Sequence, residues 1–116
     1  MRIEVVEGKL VKVAADWIVL PVTESGSRAG FFAEIDAALD GTLSRLIESG
    51  DLSGKAGEIV RLLDVQGLES PRLLLTGLGP AESVTPSRMY RSLMTAVRDL
   101  CTKQGRTVAL AVEAIG

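Results

Sequence analysis

Gly77-Leu78-Gly79 is the segment of this sequence best placed for ligand chemistry. It follows an apolar run that reads as a strand and precedes a segment that reads as a helix. In that setting a glycine-rich loop can offer backbone N–H groups to a phosphate. The dinucleotide fingerprint needs a third glycine at position 82, and Glu82 stands there with a charge that would repel phosphate. The expected helix also starts six residues after Gly79, at Thr85-Pro86, so its dipole is not aimed at the loop. A structural tight turn is the favoured reading, with a ligand loop through Gly77 and Gly79 as the alternative. Gly54-Lys55-Ala56-Gly57 has the look of a P-loop tail, but no upstream glycine has the required spacing and a strand follows, so it reads as a turn.

The other candidates are weaker. Arg88, Arg91 and Arg98 fall on the side of the second helix away from its apolar stripe; Arg91 and Arg98 nearly align and Arg88 is about 60° away. Such a row could meet a phosphate backbone or an acidic partner, or simply be solvated. Asp36 and Asp40 are one helical turn apart, which makes at most a poor divalent-cation site. Cys101, at the edge of the stripe, reads as a small buried hydrophobe with no base nearby to activate it. The chain has no histidine. That removes Ser-His-Asp and Cys-His catalysis and the commonest transition-metal ligand. No complete catalytic or metal-binding constellation is present, so the chain reads as a non-catalytic domain.

Composition narrows the classes further. A hydrophobic share of 47% with 24% charged residues is that of an ordinary globular chain. The net charge of −2 gives no global attraction to nucleic acid or anionic membrane. Aromatic residues are only 3%, too few for a stacking platform for single-stranded nucleic acid. The single cysteine excludes an intrachain disulfide and suggests a reducing, cytoplasmic setting. No secretory signal and no run approaching the ~20 apolar residues of a membrane span is apparent.

The elements expected to position these residues alternate. Ile3–Val6 and Trp17–Val22 read as strands, the second buried on both faces; Pro21 belongs near its end or at an irregularity. A single helix is expected from Ala33 to Ser49, with Ile35, Leu39, Leu43, Leu46 and Ile47 on one face and Gly50 closing it. Strands follow at Glu58–Val65 and Arg72–Thr76. A second helix runs from Thr85, its N-cap, through Pro86 to about Gln104, burying Met89, Leu93, Ala96, Val97 and Leu100. Thr107–Val112 is the last strand. Strands apolar throughout need cover on both faces, which predicts a three-layer α/β/α sandwich with a mixed, largely parallel sheet. Residues 1–116 are expected to form one domain, cut from a longer polypeptide because two helices are thin cover and the last strand ends abruptly.

The order of these segments resembles the start of the leucyl aminopeptidase family of cytosolic metallopeptidases. The resemblance is carried by Ala15-Asp16 leading into Trp17–Val22, by Ile35-Asp36-Ala37-Ala38-Leu39-Asp40-Gly41-Thr42-Leu43, and by Gly54-Lys55-Ala56-Gly57-Glu58 before a strand. Leu73-Leu74-Leu75-Thr76-Gly77-Leu78-Gly79, followed by Thr85 and an arginine-bearing helix, completes it. Pro80 and the loop from Ser25 to Gly30 depart from the family pattern. The resemblance covers the family's N-terminal domain only. It implies a macro-domain-like fold, a non-catalytic role, docking to the chain's own C-terminal catalytic domain, and a hexameric, cytoplasmic parent. The parent would remove N-terminal residues from peptides with two divalent metals, zinc or manganese, held in the C-terminal domain; the family's catalytic lysine and arginine have no counterpart here. Two other classes stay open: a macro-like module for ADP-ribose or another nucleotide at Gly77 and Gly79, and a DNA-binding module through Arg88, Arg91 and Arg98.

Overall fold

The structure, a computed structural model, describes residues 2–6, 12–24, 30–100 and 107–111. The expected turn at Gly8-Lys9, most of the loop before Gly30, Cys101, the end of the second long helix and Val112 lie outside them.

Five strands form one sheet: β1 (Arg2–Val6), β2 (Trp17–Thr23), β3 (Ile59–Leu62), β4 (Leu73–Gly79) and β5 (Thr107–Ala111), in the order β1-β5-β2-β4-β3. β1, β5, β2 and β4 run parallel to one another, and β3 pairs antiparallel with β4. The expected mixed, largely parallel sheet is present. The strand side chains explain the layers, since successive residues point to opposite faces. Ile18, Leu20, Val22, Leu73 and Leu75 enter one apolar core; Trp17, Val19, Leu74, Leu78, Val108 and Leu110 enter the other. Every residue of β4 is buried, which is why its sequence has no polar alternation.

Helices α1 (Gly30–Ala38) and α2 (Thr42–Ser49) cover the first core, and α3 (Pro86–Leu100) covers the second. The stripe expected on α3 is the buried one: Met89, Leu93, Ala96, Val97 and Leu100. Thr85 caps that helix as expected, its Oγ1 accepting the Arg88 N–H at 3.2 Å, with Pro86 in the first position.

The single helix expected over Ala33–Ser49 is two helices. Asp40 and Gly41 take positive φ, 58° and 79°, and end α1. The Gly41 N–H reaches back to the Asp36 carbonyl at 2.8 Å, and the Thr42 hydroxyl donates to the Leu39 carbonyl at 2.6 Å. The apolar periodicity survives the bend, because Ile35, Leu39 and Leu43 still reach one core; periodicity alone therefore hid it. Asp36 is a connector and not half of a cation site. Its carboxylate accepts the Ser44 N–H at 3.1 Å and the Ser44 hydroxyl at 2.5 Å, satisfying the start of α2.

Pro21 lies inside β2, opposite Thr76. Among the described residues, pairing with β5 covers only Trp17 to Val19, and the register to β4 shifts between Val22 and Thr23. Pro21 thus stands two residues before the end of β2, near the strand's end as expected.

Candidate functional site

Gly77 and Gly79 do not lie in a loop after a strand; they are the closing residues of β4. The structure brings them against the other glycine segment, Gly54–Gly57, with residues 58–76 of the chain between the two. The Gly77 N–H donates to the Glu58 carbonyl at 2.8 Å, and the Gly79 N–H donates to the Gly54 carbonyl at 2.9 Å. The Gly57 N–H donates in turn to the Gly77 carbonyl at 3.2 Å. Beyond β3, the ladder therefore continues through the Gly54–Gly57 turn. Both glycine N–H groups that would have cradled a phosphate already have protein acceptors. Gly77 is required by close approach: a Cβ there would overlap the Lys55 carbonyl oxygen. The glycines form a junction that locks the turn onto the strand.

Glu58 holds that turn in place. Its carboxylate accepts the Gly54 N–H at 2.8 Å, the Ser53 N–H at 2.9 Å and the Ser53 hydroxyl at 2.8 Å. Burial raises its pKa, but the hydrogen bonds from Gly54 and Ser53 and the charge of Lys55 outweigh burial and leave it below its ordinary value. In sequence Glu58 stands only as the start of a strand and within a stretch shared with the family, with no role given to its carboxylate. Its spacing from Ser53 carries no established motif, so no local signal marked it. Asp16, quoted in sequence only as part of the family resemblance, likewise had no role assigned, although its carboxylate accepts the Thr107 N–H at 2.7 Å and ties the start of β2 to β5.

Arg88, Arg91 and Arg98 are exposed on α3. The structure divides them between two concavities. Arg91 and Arg98 line a groove of about 650 Å³ along the helix with Pro86, Tyr90 and Met94. Arg88 and Arg91 line a second, smaller cavity against the sheet. Among the described residues no group of three His, Cys, Asp or Glu side chains is placed to hold a metal ion, so the described residues do not fit the two-metal centre that the resemblance implies for the parent. No helix among them is long and apolar enough to cross a membrane.

A five-stranded, mostly parallel sheet between helices, closed by a glycine junction, defines a class of α/β sandwich domain. Residues 19–116 match the cytosol aminopeptidase family, N-terminal domain, and the chain belongs to that family. It is 46% identical over 71 residues to a probable cytosol aminopeptidase of Paraburkholderia phymatum, covering 61% of this chain and 14% of that protein. Against a cytosol aminopeptidase of Haemophilus influenzae it is 42% identical over 84 residues, covering 72% of this chain and 17% of that protein. The fold is similar to that of a mutant tomato leucine aminopeptidase, with a TM-score of 0.69 over 95% of this chain and 22% of the other, at 24% identity.

Proposed function

We propose that this chain is the non-catalytic N-terminal domain of a leucyl-aminopeptidase-like metallopeptidase, and that it positions and assembles the enzyme. The observation that carries this reading is the family match over residues 19–116. The chain aligns with only 14% and 17% of the length of the two relatives above. On this reading the catalytic domain is the chain's principal partner and holds the two divalent metals, zinc or manganese, that activate water for peptide hydrolysis. The whole enzyme is cytoplasmic and hexameric.

The test is a domain exchange. Replacing the N-terminal domain of the Haemophilus influenzae relative with this chain should yield an oligomer that hydrolyses a leucyl amide, whereas this chain by itself should not. Metal-dependent cleavage of the leucyl amide by the 116-residue chain alone would overturn the proposal, as would an exchanged protein that assembles but shows no gain in activity over the catalytic domain alone.

A further inference from the structure

The smaller cavity has features that neither the glycine junction nor an assembly role explains. It encloses about 350 Å³ between the β3–β4 surface, the Gly54–Gly57 turn and the first three turns of α3. Its volume is at the lower end of the ~300–1,000 Å³ typical of small-molecule pockets. Ile59 and Leu78 form apolar walls; Thr76 and Ser92 supply hydroxyls; Arg88 and Arg91 supply positive charge. None of the residues lining it is acidic.

The Thr76 hydroxyl is the informative group. Thr76 is only 3% exposed, yet among the described residues its side chain makes no hydrogen bond. Among the described residues no buried side-chain polar atom lacks a partner, so this unpartnered hydroxyl is one that solvent, or a ligand, can reach. Here the side chain sits on the wall of the cavity, on the sheet face shared with Leu78. The Ser92 hydroxyl and the guanidinium groups of Arg88 and Arg91 also have no hydrogen-bond or ion-pair partner among the described residues. By contrast, nearby Thr95 is satisfied, its hydroxyl donating to the Arg91 carbonyl at 3.0 Å, and Arg61 is paired with Asp99. Arg88 and Arg91 are three residues apart on α3, so they reach the same rim. Guanidinium and hydroxyl donors converging on one space match an oxyanion, which accepts charge-assisted hydrogen bonds from both.

We propose that this cavity binds a small organic oxyanion, a carboxylate or phosphate on a compact apolar body. Arg88 and Arg91 hold the charge, Thr76 and Ser92 donate to its oxygens, and Ile59 and Leu78 receive the body. The site is independent of the assembly role: it is defined by residues of this chain alone and would stand if that role failed.

Amide chemical shifts of the 116-residue chain, titrated separately with benzoate, phenyl phosphate and inorganic phosphate, test it. The expected result is saturable movement of the Gly57, Thr76 and Ser92 amides with benzoate or phenyl phosphate; whichever binds more tightly identifies the oxyanion. Arg88→Ala and Arg91→Ala should each weaken binding about tenfold, the scale of a lost charge-assisted hydrogen bond. Thr76→Val should weaken it about threefold or more while leaving the melting temperature equal or higher, because the hydroxyl has no partner in the free chain. Arg98→Ala, outside the cavity, should change nothing. Absence of saturable shifts with both organic anions would overturn the proposal. So would unchanged affinity in Thr76→Val, or equal weakening by Arg98→Ala, which would indicate a diffuse cationic surface. Inorganic phosphate binding as tightly as phenyl phosphate would overturn the role given to the apolar walls.

Discussion

Glu58 converts one carboxylate into the anchor of a whole turn. Its folded-state pKa lies below its ordinary value of 4.5. A lowered pKa means that the native state holds its proton less tightly than the unfolded chain does. The stabilisation is therefore complete above the ordinary value and is lost as pH falls through the depressed one. Glu58→Gln should cost roughly 1 kcal/mol at neutral pH, less than a fully buried charged hydrogen bond because solvent reaches the group. The difference from the unsubstituted chain should shrink steadily as pH drops below 4.5. Urea unfolding at neutral and acidic pH measures both, and a difference independent of pH would disprove the role of the charge. Gly77 makes the opposite kind of demand, for the absence of atoms. Gly77→Ala should destabilise by about 3 kcal/mol, since the added methyl meets backbone and not a flexible side-chain end. A loss under ~1 kcal/mol in urea unfolding would show that the turn can retreat without penalty.

The bend between α1 and α2 shows how an element's ends are decided by hydrogen bonds and not by its apolar face. Asp36, on α1, satisfies the first turn of α2 through Ser44. Asp36→Ala should therefore cost about 1 kcal/mol, the usual scale of a lost helix cap, and should lower helical circular dichroism before global unfolding. Unchanged stability would mean that water replaces the carboxylate. At the far edge of the sheet, Arg61 on β3 pairs with Asp99 on α3. The two side chains are 46% and 35% exposed, so solvent screens the pair. A double-mutant cycle should give a coupling below ~1 kcal/mol; a larger value would show that the pair pins the edge strand. The dipeptide Asp40-Gly41 is a turn signal in its own right. It was absorbed into a helix because the apolar spacing on either side continued through it.

At the scale of the whole molecule, stability rests on the two cores on either side of β2 and β4. Leu74 is fully buried in the core under α3. Leu74→Ala should cost ~2–5 kcal/mol, the range for large-to-small changes in close-packed interiors. Leu63, 65% exposed beside β3, should change stability by less than ~0.5 kcal/mol when replaced by alanine. Comparable effects at the two positions, read from urea midpoints, would contradict this placement of the cores.

The sequence by itself determined which residues are buried and in what kind of element. The apolar runs of β2 and β4, the stripe of α3 and the Thr85-Pro86 start each depend on residues within a few positions of one another, and local spacing encodes them. The ordered resemblance to a peptidase family's N-terminal domain was legible for the same reason. Only the tertiary structure decided what the glycines and arginines do. The partner of the Gly79 N–H is the Gly54 carbonyl, and the walls of the small cavity come from the Gly54–Gly57 turn, two strands and α3. These pairings join residues distant in the chain, and no short-range pattern records them. A glycine-x-glycine motif reads alike in sequence whether its N–H groups face a phosphate or another backbone; the acceptor that reaches it in the folded chain distinguishes the two.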